Sequence, residues 1–177
     1  LYLQQSGIDL NKGLVILHFA PEKHFLKILQ NNDNYHTADI TPGKARHTMD
    51  MQKITFDDNS IDIILNNHVL EHVADDRKAL GEIYRTLRPG GIALITVPIN
   101  WSRQDTYENS SLTTARQRFV HYGDRSHVRY YGRDFNDRLL DAGFQVECWR
   151  LPQDEEPRYA LLRDDVLWVA TKALRKT

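Results

Sequence analysis

Residues 68–72 read His68-Val69-Leu70-Glu71-His72, two imidazoles four positions apart with a carboxylate between them. On a helix that spacing lets both rings reach one zinc ion. The pattern also needs a long helix and a third, distant ligand. Here it follows an apolar strand pattern directly and meets Asp75-Asp76, a fresh helix start. Only about one helical turn is available between them, so a zinc hydrolase is the remote reading and no metal ligands are assigned.

A second constellation is His18-Phe19-Ala20-Pro21-Glu22, where an apolar run gives way to a helical pattern. Cofactor-binding sheets often carry a glycine-rich loop at such a junction, yet no glycine occurs between Gly13 and Gly43. Pro21 suits a first helical position, with free amides facing the crevice. Glu22 would repel a diphosphate and welcome an ammonium or sulfonium group; the plainer reading is a carboxylate complementing the helix dipole. Asp39, at the end of the next strand pattern, can accept two hydrogen bonds from a ribose diol, each contributing about 1.5–3 kcal/mol. Equally, it can form the turn ahead of Thr41-Pro42-Gly43. Asp50 can accept from an exocyclic amine while Met51 packs against an aromatic base, or the two are a solvated loop with one buried methionine.

These residues need elements to position them. Strand patterns run over Leu14–Phe19, Tyr35–Ile40, Ile61–Asn66, Ile92–Val97, Phe144–Arg150 and Val166–Thr171, with a brief one near His47–Met49. A helix is expected from about Pro21 to before Asn31-Asn32. Another runs from Asp75 to Leu87, with Ala79, Leu80, Ile83, Tyr84 and Leu87 as its apolar stripe. Pro89-Gly90-Gly91 should stop it and launch the next strand. A further helix spans Asp134 to Ala142, ended by Gly143. Alternation with short loops predicts an α/β fold with a largely parallel sheet and ligands at the carboxyl ends of its strands. The last two strands should pair as an antiparallel hairpin across the polar stretch 151–163. Asn100 to Gly132 is polar, aromatic and without periodicity, as functional or mobile connections tend to be.

The 177 residues suffice for one domain with a sizeable core. A net charge of −1 argues against wholesale electrostatic capture of nucleic acid or an anionic membrane. No apolar stretch approaches the roughly 20 residues needed to span a bilayer, and no leader pattern is visible. The single cysteine, Cys148, rules out an internal disulfide and fits a reducing compartment, so the expected location is cytoplasmic. The chain opens at Leu1 without methionine, and the natural protein is expected to extend upstream.

The run IDIILNNHVLEHVADDRKALGEIYRTLRPGGIALITVPI resembles the second half of a class I S-adenosylmethionine-dependent methyltransferase, of the broad type 11-like group with a "vLeHv" helix and an "LkPGG" turn. The likeness covers about Leu14 to Val146. His18-Phe19-Ala20-Pro21-Glu22 and His127-Val128-Arg129-Tyr130-Tyr131-Gly132 are similar to a subset with "LHxAPE" in place of the glycine loop and "HVRYYG" late in the chain. Leu1-Tyr2-Leu3 is similar to a lead-in helix that in some members follows a cysteine-rich segment.

The resemblance implies a Rossmann-like seven-stranded sheet ordered 3-2-1-4-5-7-6, with helices on both faces and S-adenosylmethionine above strands 1, 2 and 4. It sets His18, Phe19, Ala20 and Glu22 against the methionine moiety, Asp39 on the ribose, Asp50 and Met51 beside the adenine, and Asn67 and His68 beneath the sulfonium. The link from Asp39 to Asp50 is too short for a full second helix, so the adenine wall is thin or supplied by another chain, which leaves an oligomer open. The implied reaction is methyl transfer to a small polar or anionic acceptor. His72 and His127 are the candidate bases, Arg129 and Tyr131 orient the acceptor, and residues 100–132 form an acceptor-side insertion or lid. Structural alternatives are a helix cap for His72 and a brace for His127-Val128-Arg129. The rival from another class is a methyltransferase-like domain that binds a metabolite or protein and catalyses nothing.

Overall fold

The computed structural model describes residues 2–10, 13–150 and 166–174. A seven-stranded sheet forms its centre, in the order β3-β2-β1-β4-β5-β9-β8. These strands are β1 (Ile16–Phe19), β2 (Tyr35–Asp39), β3 (His47–Thr48), β4 (Ile61–Asn67), β5 (Leu87–Thr96), β8 (Gln145–Trp149) and β9 (Leu167–Thr171). β6 (Tyr107–Glu108) and β7 (Arg129–Tyr130) pair separately as a short antiparallel ribbon. Counted without the ribbon, the order is the expected 3-2-1-4-5-7-6. The five strands from β3 to β5 are parallel, and β9 runs antiparallel to both β5 and β8. The expected terminal hairpin is therefore present, while most of its connection lies outside the described residues.

Alternation along the strands sends apolar side chains to both faces. Leu17 and Phe19 of β1 join one core cluster, and Ile16 joins the other. Helices α1 (Tyr2–Gln5) and α2 (Lys23–Leu29) cover the second cluster with Tyr2, Phe25 and Leu29. The first lies under α3 (Asp76–Thr86) and α5 (Phe135–Asp141), which contribute Ala79, Leu80, Ile83, Phe135 and Leu139. Asp75 caps α3 by accepting from Lys78 N at 2.9 Å, which satisfies one of the amides a helix start leaves unpaired. Its last carbonyls find the Lys172 ammonium, 2.7 Å from Tyr84 O and 2.8 Å from Leu87 O.

Two expectations change. Pro89-Gly90-Gly91 does not stop α3, which ends at Thr86. The triplet lies inside β5 as an irregularity, where the pairing register jumps between Ile61 and Ile63. Asn100–Gly132 is not structureless either. It carries α4 (Ala115–Tyr122) and both ribbon strands. Thr114 and Gln117 form a capping box, and Gly123 closes α4 at φ +80°, local signals that lacked only an apolar stripe to make them visible.

A Cβ at Gly91 would stand 2.9 Å from Arg88 O and 3.0 Å from Asp62 O, backbone atoms that cannot yield, whereas one at exposed Gly81 on α3 meets nothing within 4 Å. Gly91→Ala is therefore expected to lower stability by about 1–3 kcal/mol, and Gly81→Ala to raise it by about 0.5–1 kcal/mol. Urea unfolding of the two variants checks both signs.

Candidate functional site

Parallel register brings the carboxyl ends of β1, β2 and β4 side by side, with Phe19 opposite Ala38 on one flank and Asn66 on the other. The chain leaves β1 through Ala20 at φ +47° and leaves β4 through His68 at φ +52°. Non-glycine residues adopt that left-handed region at a cost of roughly 1–2 kcal/mol. Ala20 thus has the backbone a loop glycine would take, fixed by its amide to Ala38 O at 2.8 Å. The glycine-less first loop keeps a glycine-like turn.

Glu22 stands at the start of α2, and its carboxylate is held from two strands. His18 Nε2 lies 2.5 Å from Oε2, and Asn67 Nδ2 donates to Oε1 at 2.9 Å. His18 is fully buried on β1, and its Nδ1 is 2.7 Å from the Tyr35 hydroxyl. An ionised carboxylate only accepts, so Nε2–H donates to Glu22. Burial and the Glu22 charge push the Tyr35 phenol up to about 12, so a protonated hydroxyl stands beside Nδ1. Burial pushes the Glu22 carboxyl up, but the bonds from His18 and Asn67 outweigh it and the group lies below the usual carboxylate range.

Asp39 ends β2, where its Oδ1 accepts from Thr41 N at 2.7 Å; its second oxygen has no partner among the described residues. Turn former and ligand acceptor are therefore compatible roles for this side chain. Asp50 is half-buried and ties itself to Gln52, accepting from the backbone amide at 2.8 Å. No helix forms between Asp39 and Asp50, as the short link requires.

Other placements differ from expectation. Met51 and Phe19 are each 3% exposed and belong to the core cluster, so both shape the wall from behind rather than offering a face to a ligand. His18 likewise acts through Glu22. His68 is exposed, with Nδ1 3.4 Å from Glu71 Oε1. Asn66 was not singled out from the sequence. It is fully buried, its Nδ2 reaches Met51 Sδ at 3.5 Å, and its Oδ1 is unpartnered. Its neighbour Asn67 points to the opposite face of the strand, and no periodicity separates two adjacent asparagines by role.

On the acceptor side, Leu70–His72 forms one 3-10 turn, as the short spacing predicted. Its partner is the segment before β7, where Val128 N donates to Glu71 O at 2.9 Å. The His72 and His127 rings stand edge to face, centroids 4.7 Å apart. Burial holds His127 below the usual histidine value, against the pull of Glu71. Arg129 and Tyr131 do not orient an acceptor. Arg129 is 1% exposed and donates to Leu70 O at 2.8 Å, to Ala74 O at 3.0 Å and to Val73 O. Tyr131 is fully buried and donates to Asp76 Oδ2 at 2.9 Å. Burial, and then the Asp76 charge, raise the Tyr131 phenol well above its usual value. Both side chains are braces: the Tyr131 hydroxyl and the terminal nitrogens of Arg129 are bonded within the protein, and Arg129 Nε faces Asp76 Oδ2 at 3.8 Å.

Residues 8–95 match the family model described as "Methyltransferase domain". An uncharacterized 37.1 kDa protein in transposon TN4556 of Streptomyces fradiae is 37% identical over 99 residues, covering 55% of this chain and 28% of that protein. The sterol 24-C-methyltransferase ERG6B of Gibberella zeae is 28% identical over 134 residues, 68% of this chain and 34% of its own length. The chain thus spans about a third or less of those relatives. The 1,6-didemethyltoxoflavin-N1-methyltransferase of Burkholderia thailandensis, solved with 1,6-didemethyltoxoflavin and S-adenosylhomocysteine bound, superposes with a TM-score of 0.65 at 17% identity, over 97% of this chain and 74% of that one. At that identity the likeness is one of fold. The chain belongs to the class I S-adenosylmethionine-dependent methyltransferase family. No helix among the described residues is long and apolar enough to cross a membrane.

Because the Glu22 carboxyl is lowered in the folded protein, its stabilising effect is full above its unfolded value near 4.5 and fades as pH falls through the folded value. Glu22→Gln is expected to destabilise at pH 7 and to converge with the parent only once the pH has fallen below the lowered folded value. Chemical denaturation at the two pH values measures the difference, and an equal gap at both would remove the clamp's electrostatic role.

Proposed function

We propose that this domain transfers a methyl group from S-adenosylmethionine to a small polar or anionic acceptor. The observation that carries the reading is the Glu22 carboxylate. It is pinned by His18 and Asn67 at the carboxyl edge and paired with no lysine or arginine among the described residues. Its negative charge is thereby left for a cationic ligand, and a diphosphate would be repelled. Asp39, with one oxygen fixed by its turn and the other unpartnered, suits the two hydroxyls of a ribose. The buried, unpartnered Asn66 Oδ1 adds an acceptor between the Glu22 and Met51 sides of the edge. Asp50 and the wall backed by Met51 fit the adenine, with Ala20 and His68 turning the backbone out at either side.

When bound, this cofactor supplies a methyl carbon activated by its sulfonium, so that the acceptor lone pair forms the new bond as the C–S bond breaks and leaves its electron pair on sulfur. The protein's task is alignment, which can supply up to about 7–11 kcal/mol. His72 and His127 face the acceptor in this reading, and their lone pairs can take the proton of a hydroxyl or ammonium acceptor. Exposed Arg116 and Arg125 on the 100–132 segment favour an acceptor bearing carboxylate or phosphate. The exposed, unpaired thiol of Cys148 fits a reducing, cytoplasmic setting.

Calorimetric titration with S-adenosylmethionine and S-adenosylhomocysteine tests the proposal. Micromolar binding is expected, weakened about tenfold or more in Asp39→Ala. Unchanged affinity in that variant would remove the role of Asp39, and a folded chain that binds neither compound would sink the reading.

A further inference from the structure

Glu71, His72 and His127 each bring one donor atom within 4.8 Å of the other two. Glu71 is 1% exposed, yet its Oε2 has no hydrogen-bond partner, and neither has the buried Nδ1 of His127. A buried polar atom left unpaired costs about 1–3 kcal/mol, and more when charged. Both residues belong to this one cluster, and a ligand seated among its donor atoms would offer each a partner. The backbone beneath them is already fixed. Val128 N bonds Glu71 O, and the Arg129 guanidinium grips the carbonyls of Leu70 and Ala74.

We propose that Glu71, His72 and His127 form a divalent-metal site with open positions for an oxygen of the methyl acceptor. Two imidazoles and one carboxylate suit Zn²⁺, Mn²⁺ or Fe²⁺ better than Ca²⁺ or Mg²⁺. Metal–ligand bonds of about 2.0–2.2 Å set donor atoms roughly 3–3.5 Å apart, so the side chains must draw in by at most about 2 Å. Exposed His72 is free to make most of that movement. These are not the ligands of the His68-x-x-Glu71-His72 pattern. His127 takes the place of His68, because one 3-10 turn cannot present residues 68 and 72 on one face while the ribbon delivers a ring from the other side. The inference deepens the methyl-transfer reading and rests on it only for the acceptor. A cation here would lower the pKa of a bound hydroxyl, whose proton passes to solvent. The two histidines then act as ligands, and the acceptor is an oxygen-bearing one.

Chelator-stripped protein is titrated with Zn²⁺ by calorimetry and with Co²⁺ in the visible spectrum, and one equivalent of each is expected to bind. His72→Ala, at an exposed position, and His127→Ala are each expected to weaken binding at least about tenfold and to change the Co²⁺ absorption. Circular dichroism confirms that the variants fold. His36→Ala, which breaks the separate His36–His47 contact of 3.2 Å, is expected to change neither. Absence of stoichiometric metal on folded protein, or binding that survives both site variants, overturns the site whatever the cofactor titration gives. Loss of cofactor binding with the metal site intact overturns the methyl-transfer reading alone.

Discussion

Asp76 is the buried charge on which the packing of α3, α5 and the β6–β7 ribbon depends. Desolvating a carboxylate costs several kcal/mol, offset only when its lone pairs are filled with good geometry. Here Arg138 reaches both oxygens, at 3.1 and 2.8 Å, and the Tyr131 hydroxyl donates at 2.9 Å. The Arg129 guanidinium lies 3.8 Å away. Glu108 on β6 then meets both guanidiniums, at 3.4 Å from Arg129 and 2.8 Å from Arg138. Since Asp76 opens α3, Arg138 lies on α5 and Arg129 on β7, one charge fixes a helix start, a second helix and the ribbon to one another. The polar segment 100–132 is thereby anchored at both of its strands, whatever its remaining turns do. Removing Arg138 would leave Asp76 without its only cation within hydrogen-bond distance among the described residues, and a lysine or methionine at 129 could not replace the guanidinium that also binds Leu70 O and Ala74 O.

The two halves of the site meet at the end of β4. Asn67 reaches across to Glu22, Thr96 supports Asn67 from β5 at 3.3 Å, and four residues later Glu71 O is bound by the segment before β7. Cofactor-side and acceptor-side geometry therefore share one strand end, and a shift of β4 would move both together. The cofactor side works by substitution. Glycines allow a backbone to approach a ligand closely; this loop instead offers a fixed carboxylate. Under the proposed function that trade would suit a positively charged ligand and repel a polyphosphate, with charge selectivity in place of close approach.

How much of this the sequence disclosed depends on the range of the interactions involved. Strand patterns with period two and the α3 stripe are local, and every element of the sheet was visible in them. Asp39 and Glu22 stood out because chemistry at strand ends follows from position, whereas Asn67 is singled out by the family resemblance. The clamp on Glu22 was not visible. His18 reads as a residue facing the cofactor, not as the partner of Glu22, and only the parallel pairing of Ile16 with Tyr35 places β2's tyrosine beside it. The acceptor-orienting roles of Arg129 and Tyr131 fail for the same reason, and Arg129 has the role of its brace alternative. Basic and aromatic residues in a polar stretch suggest an acceptor pocket, and only the tertiary fold reveals that Asp76, 55 residues earlier, already occupies the Tyr131 hydroxyl. Met51 illustrates the opposite error, a flexible apolar side chain assigned to a ligand face when the core claimed it.

Backbone strain is distributed in a way that supports the placement of the site. The non-glycine residues at positive φ are Ala20, Asn59 and His68 among the described residues. Asn59 lies in the turn before β4, where asparagine enters the left-handed region at little cost. Ala20 has no such excuse in a β-adjacent bend, and it shares the carboxyl ends of neighbouring strands with His68, a residue type that enters the region more readily. Left-handed alanine persists only where surrounding contacts over-determine it. Those contacts are present: Ala20 N is bound to Ala38 O, His68 N to Thr96 O, and Glu22 and Asn67 are bound to each other between them. The strained turns are held by backbone bonds to Ala38 and Thr96, and the carboxylate by the side chains of His18 and Asn67. The two sets meet at the ends of β1 and β4, so strain and charge are fixed along one edge, a preorganised surface for the ligand proposed there.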